Sequence, residues 1–234
     1  MGSSILSMHN ATLDWITPDA ERVIARHARV STKNPERKEY KKLIAYCIHH
    51  GHWSILEQAA ASFEIITTRA ISPQILRHRS CSFQELSQRY TNPWEIFQDS
   101  HIKPHEFSIR QQAEKNRQSS TIELHYELIE EFRKRIYDLD SITKQLYEDM
   151  LEAGVARECA RNILPLYTPT RMHMTGTLRS FIHYVGLRGQ PETQLEHHQI
   201  ALSIGRILVD QLPVISEALL ESEDKSLAGW KYLR

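Results

Sequence analysis

Glycine is scarce in this 234-residue chain, with eight in all. That leaves little material for a glycine-rich phosphate loop, and neither G-x-G-x-x-G nor G-x-x-x-x-G-K-[ST] occurs. H-E-x-x-H and G-x-S-x-G are also missing, which removes the common signatures of zinc proteases and α/β-hydrolases. Cysteine is limited to Cys47, Cys81 and Cys159, an odd number without close pairing. Neither a disulfide framework nor a zinc site on C-x-x-C is expected, and reduced cytoplasmic thiols are the simplest account. No charge excess exists either: 29 basic side chains face 29 acidic ones, so no net field gathers a polyanion and a nucleic-acid coat is disfavoured. No apolar run approaches the roughly 20 residues that span a bilayer, and nothing resembles a signal peptide. The expectation is a soluble cytoplasmic protein, one domain over 1–234, with 41% hydrophobic residues to build a core.

Periodicity supplies the elements. Ala11 to Ile16 reads as a strand, and Thr17-Pro18 as the N-cap and first position of a helix to about Val30. Leu43, Ile44, Cys47 and Ile48 mark a second helix ending near Gly51. His49, His50 and His52 crowd its end, where adjacent histidines diverge and make a poor metal cage. Ser54 and Glu57 fit a capping box. Ala61, Phe63 and Ile65 alternate with Ser62 and Glu64 in a strand continuing to Thr68, and Ser72-Pro73 starts a helix to Arg79. Residues 99–120 are polar and read as a mobile insertion. Two helices follow, one carrying Leu124 to Ile136 and another Leu139 to Met150, stopped by Gly154. A short helix over 155–163 places Arg157 and Arg161 one turn apart, where either Glu158 or a ligand phosphate must neutralise them. Leu166 to Met174 is extended. Helices around Leu178–Val185, Glu192–Leu208 and Val214–Leu219 complete the chain, with Glu196-His197-His198 as a solvated face.

The stretch from Gln74 to Tyr90 stands apart. It holds Arg77, His78, Arg79 and Arg89 without a single Lys. The planar fork of Arg suits phosphate and carboxylate oxygens, so the run points to an anionic ligand; a salt-bridged interface is the alternative. With no glycine loop, a nucleotide would have to be held by Arg, amides and hydroxyls. Arg161, Arg179 and Arg188 add three more fixed cations on separate elements.

Arg77-His78-Arg79, seven residues, Ser87, one residue and Arg89 resembles the R-H-R-x7-S-x-R signature of the flavin-dependent thymidylate synthases. The order of Gly51-His52, Ser54, Glu57, Glu85-Leu86, Tyr90, Ala156-Arg157-Glu158, Arg161, Leu164-Pro165-Leu166, Arg179-Ser180 and Leu187-Arg188 agrees over roughly residues 10–220. The resemblance implies reductive methylation of dUMP to dTMP, with 5,10-methylenetetrahydrofolate and NADPH as co-substrates, FAD as hydride relay and no enzyme nucleophile. It further implies an α/β (α+β) fold, a single sheet flanked by helices, in a homotetramer whose sites are shared between subunits. Ser54, Arg77, His78, Arg79, Glu85, Thr177, Leu178, Arg179 and His183 would form the FAD site. Gln74, Ile75, Leu76, Arg77, Glu85, Leu86, Ser87, Gln88, Arg89 and Arg161 would hold dUMP, with Arg188 at the pyrimidine. Neither nucleic acid nor membrane is an expected partner, and no metal is expected.

Arg188 is the expected activator. C5 of dUMP becomes nucleophilic as negative charge develops over N3 and the carbonyl oxygens, and a permanently protonated guanidinium stabilises that charge. Ser87 lacks an adjacent base and reads as a phosphate binder, while His52 is a candidate for proton movement or folate contact. Thr177 and His183 stand where many members carry Asn, and Gln88 where a smaller residue is commoner. Two other classes remain as rivals: a nucleic-acid-binding module using the Arg77–Arg89 cluster, and a helical assembly protein whose arginines form interface salt bridges.

Overall fold

The structure, a computed structural model, describes residues 8–97, 103, 105–121 and 124–233. In chain order the elements are β1 (Asn10–Ile16), α1 (Ala20–Ala28), α2 (Lys41–His49), a 3-10 helix (Trp53–Gln58), β2 (Ala60–Thr68), α3 (Ser72–Ile75) and β3 (Cys81–Glu85). There follow α4 (Pro93–Ile96), β4 (Gln111–Gln112), β5 (Ser120–Thr121), α5 (Tyr126–Glu152), α6 (Arg157–Ala160) and a 3-10 turn (Arg161–Ile163). The chain ends with β6 (Pro169–Thr177), α7 (Leu178–Arg188), α8 (Leu195–Gln211), α9 (Pro213–Glu221) and a 3-10 run (Lys225–Leu233). Helix and antiparallel sheet are thus mixed, with one four-stranded sheet in the order β1-β2-β6-β3. A second, two-stranded sheet pairs β4 with β5, which the expectation of a single sheet did not include. Among the described residues no helix is long and apolar enough to cross a membrane.

The chain divides into two compact units. The larger comprises His9–Ile65, Gln74–Gln84 and the described part of Met172–Arg234. In it the alternation of β2 sends Ala61, Phe63 and Ile65 into the core, where Phe63 meets Phe181 of α7 edge-on at 4.8 Å. Ser203 of α8 holds β1, donating to Asn10 (2.7 Å) and accepting from the Ala11 amide (3.2 Å). Buried Glu21 of α1 accepts from the Ile215 amide at 2.8 Å, fixing α1 to α9, and burial raises its pKa. The other strand faces carry a polar chain: Thr175 donates to Ser62 (2.9 Å), Ser62 to Asp14 (3.0 Å), and His173 Nδ1 lies 2.8 Å from the same carboxylate.

The smaller unit comprises Ile66–Pro73 and Glu85–Arg171 as far as they are described, with Met8. Its core cluster joins Ile66 and Phe97, with Met8, Leu86 and Ile96 packed on them. Trp94 of α4 lies edge-on to Tyr147 of α5 at 5.4 Å, and Tyr147 is the buried residue of that helix.

Several local expectations are corrected. Thr17 does not cap α1; its hydroxyl and amide both pair with Ala60, and left-handed Asp19 precedes the helix instead. The Ser54–Glu57 capping box does not form, since the segment is a 3-10 helix without a side-chain cap. The helix from Ser72 stops at Ile75 rather than Arg79, and residues 81–85 form a strand. The two helices read over 124–150 are one, α5. Gly154 does stop it: with φ 84° it supplies the left-handed residue of a Schellman ending, Val155 N bonding Met150 O (2.9 Å) and Gly154 N bonding Leu151 O (3.0 Å). Of the predicted insertion, residues 99–102 and 104 lie outside the described residues, while the β4–β5 hairpin occupies its end.

Candidate functional site

In the larger unit the Arg-rich stretch begins at α3. Ile75 is fully buried and anchors the turn, so that predicted contact residue has its side chain in the core. His78 N bonds Ile75 O and Cys81 N bonds His78 O, each at 3.0 Å, and this tight reversal feeds the chain into β3. The reversal leaves Leu76, Arg77 and Arg79 exposed while His78 turns inward. Gln74 donates to Gln194 at 2.7 Å.

The His78 ring stands edge-on to Tyr184 (4.8 Å between centroids) and to His197 (6.2 Å), both of which are fully buried. Its Nε2 accepts a hydrogen bond from Arg188 Nε at 3.0 Å. Burial, then the neighbouring charges of Arg188 and His183, push its pKa from 6.5 down to about 4. Burial pushes His197 to about 3 for the same reason. The solvated-face reading of His197 is therefore wrong: it lies in register with buried Ile200, Ala201, Ile204 and Leu208 on the inner stripe of α8.

The other end of α7 frames a cleft. Thr177 caps the helix, accepting from Ser180 N at 3.3 Å, so this predicted cofactor residue already has a structural task. Leu178 is fully buried and its amide donates to Ala59 O at 2.9 Å. Arg179 pairs with Glu57 at 2.5 Å, and both side chains are about half exposed. The cleft holds about 430 Å³ and is lined by Trp53, Glu57, Ser80, Arg179, Ser180, Ile182, His183, Ser226 and Leu227. The last two come from the C-terminal 3-10 run, which is clamped on α7 by Trp230 Nε1 donating to Ile182 O at 3.0 Å. Ser54 and His52 are exposed and do not line the cleft; His52 instead groups with Tyr46 (5.9 Å) and His50 (6.2 Å).

The smaller unit holds the rest of the signature. Glu85 accepts from Arg69 and, at 2.9 Å, from Thr170. Leu86 donates its amide to Arg171 O (2.9 Å) and packs in the core cluster. The Ser87 carbonyl accepts from Tyr90 N (3.0 Å) and Thr91 N (3.2 Å), a turn that presents exposed Arg89 over the Tyr90 ring at 5.9 Å. Among the described residues Gln88 Nε2 and Arg157 Nη1 are buried without a hydrogen-bond partner. Arg161 opens its 3-10 turn half-buried.

Among the described residues Arg77, Arg79, Arg89 and Arg161 form no ion pair within the chain. The structure thus joins His78 with Arg188, and Arg179 with His183 along the cleft, while Ser87, Gln88, Arg89 and Arg161 belong to the other unit. Sequence reasoning missed Arg69, Tyr184, His197, Trp53, Ser226 and Leu227. For His197 a signal existed in its spacing to Ile200, Ile204 and Leu208; for Ser226 and Leu227, brought in by long-range packing, none did.

Comparison with known proteins adds a separate finding. A family model described as thymidylate synthase complementing protein matches residues 12–214. A flavin-dependent thymidylate synthase of Synechocystis is 44% identical over 199 residues, covering 85% of this chain and 89% of that one. A probable flavin-dependent thymidylate synthase of Paramecium bursaria Chlorella virus 1 is 40% identical over 223 residues, covering 94% and 99%. Another, from Kosmotoga olearia, is 37% identical over 186 residues, covering 80% and 77%.

Proposed function

The chain belongs to the flavin-dependent thymidylate synthase family, and on that premise we propose that it methylates dUMP to dTMP reductively. Methylenetetrahydrofolate gives the carbon, NADPH the electrons, and the flavin is FAD. The observation that carries this reading is the Arg188–His78 contact at 3.0 Å, which joins the end of α7 to the R-H-R turn across a sequence separation of 110.

The cleft beside α7 suits a flavin nucleotide in its chemistry. Arg179, His183, Ser80 and Ser180 offer donors for diphosphate oxygens, and Trp53 offers a flat apolar wall. Arg77, His78 and Arg79 are the further FAD residues of the larger unit, and Ser54, Thr177, Leu178 and Glu85 complete the proposed set. When bound, the cofactor supplies hydride chemistry that no side chain possesses.

The protein's own groups bind and polarise dUMP. Ser87, Arg89 and Arg161 hold its phosphate, supported by the lack of competing ion pairs at both arginines among the described residues. Gln74, Leu76, Arg77, Glu85, Leu86 and Gln88 complete its surroundings, with Ile75 anchoring their turn from the core. Arg188 faces the pyrimidine, where its fixed charge stabilises the anion that makes C5 nucleophilic. Cys47, Cys81 and Ser87 are poorly set up as nucleophiles: burial raises both thiols, and no His or carboxylate among the described residues hydrogen-bonds the Ser87 hydroxyl. His52 moves protons or holds folate from its exposed position beside the 3-10 helix.

The assembly is a homotetramer in the cytoplasm. Leu139, Ile142 and Leu146 of α5 are 54%, 66% and 47% exposed on one stripe, apolar area that burial against another copy would stabilise by about 25 cal/mol per Å². Three free cysteines suit a reducing compartment. Purified protein loaded with FAD tests the reading: it should turn yellow and oxidise NADPH faster when dUMP is added. Protein that takes up no FAD, or whose NADPH oxidation ignores dUMP, overturns it.

A further inference from the structure

A guanidinium has five N–H donors and no acceptor, so a hydrogen bond between Arg188 Nε and His78 Nε2 requires a lone pair on the imidazole. His78 must therefore carry its proton on Nδ1 and be uncharged. The groups facing it agree. From α7 come His183, Tyr184 and Arg188, and from α8 comes His197; no carboxylate is among them. A second proton on His78 would set a cation against Arg188 with nothing to offset it. His197 has no protein partner at either ring nitrogen and Tyr184 none at its hydroxyl, so the wall behind His78 offers it no competing hydrogen bond among the described residues. Arg188 is half-buried, and no described residue takes a hydrogen bond from its two terminal nitrogens.

We propose that His78 is a positioning residue for Arg188: its neutral Nδ1–H tautomer accepts the Nε–H at Nε2, holding the guanidinium in one orientation with both terminal nitrogens left for the substrate. The role rests on the thymidylate synthase reading above and adds to it a task for His78 other than flavin contact. Orientation matters because a guanidinium held at Nε cannot swing about its long side chain, so its paired N–H groups meet the developing anion without a reorganisation cost. The same logic makes the contact sensitive to acid. Protonation of His78 removes the acceptor and frees Arg188.

Two measurements separate this inference from the reading it rests on. In the full chain labelled with 15N-histidine, the His78 ring should show a protonated Nδ1 and a bare Nε2, unchanged as the pH falls through 6, and the pattern should be lost in Arg188→Ala. A protonated Nε2 at neutral pH overturns the proposal, whether or not the protein makes thymidylate. In turnover at saturating dUMP, normalised to bound flavin, His78→Phe keeps the packing against Tyr184 and His197 but has no acceptor. It should lower kcat by roughly tenfold or more, with a smaller change in the KM for dUMP. His78→Gln, whose amide oxygen can accept from Nε, should restore most of that loss. Equal impairment of both variants, or full activity of His78→Phe, contradicts the positioning role. Wild-type protein that binds flavin but forms no thymidylate would instead defeat the functional reading and leave the NMR result to decide the tautomer.

Discussion

His78 and His197 are imidazoles that the fold keeps uncharged, the first at a pKa of about 4 and the second at about 3, against an ordinary 6.5. Between those limits the unfolded chain takes up protons that the folded chain refuses. Their contribution to stability is therefore complete above about 6.5 and is lost as the pH falls toward 4. The slope is at most about 1.4 kcal/mol per pH unit for His197, and less for the half-buried His78, where solvent screens the effect. The melting temperature should fall steadily over this range. His197→Leu, which removes one of the two groups from an apolar stripe, should flatten the decline; equal slopes for both proteins in a calorimetric pH series would contradict it. The arginines were legible in the sequence because a lysine-free run is chemically unusual. His197 was not, because its polar neighbours Glu196 and His198 outweighed its spacing to Ile200 and Ile204.

α7 carries Arg188 at one end and the cleft residues Arg179, Ser180 and His183 at the other, and the C-terminal 3-10 run packs on it. A Cβ on Gly229 would stand 2.0 Å from Val185 O, and one on Gly186 would stand 2.2 Å from Ser226 O, so backbone meets backbone there. Gly229→Ala should push the run off α7, displace Ser226 and Leu227 from the cleft wall and weaken FAD binding by roughly tenfold, read by flavin fluorescence. Unchanged FAD affinity would show that this wall does not touch the cofactor. Elements with local signals were legible: the alternation in β2, the apolar stripe of α7, the glycine ending α5. Those set by distant partners were not. The helix after Ser72 yields at Ile75 because residues 81–85 gain ladder hydrogen bonds by joining β6, a pairing that local periodicity cannot reveal. Thr17 gives up its cap for Ala60, 43 residues away. α5 continues through residues 137–139 because neither Pro nor Gly interrupts it from 126 to 152.

For the whole molecule, basic and acidic side chains balance, so no net charge would repel a second copy, and α5 exposes the apolar stripe of Leu139, Ile142 and Leu146. If the proposed homotetramer packs through this stripe, replacing Ile142 and Leu146 together by Asp should give smaller species than wild type in light scattering; an unchanged mass would exclude this face from the assembly. If dUMP meets Arg188 as proposed, the charge of that guanidinium decides whether chemistry follows. Thymidylate formation from dUMP, methylenetetrahydrofolate and NADPH, followed chromatographically with FAD-loaded wild type and Arg188→Ala, tests this most directly. The wild type should form dTMP, and the variant should retain FAD yet turn over slower by about a hundredfold or more. Wild-type protein that carries FAD and forms no dTMP, or a variant as fast as wild type, would contradict the account.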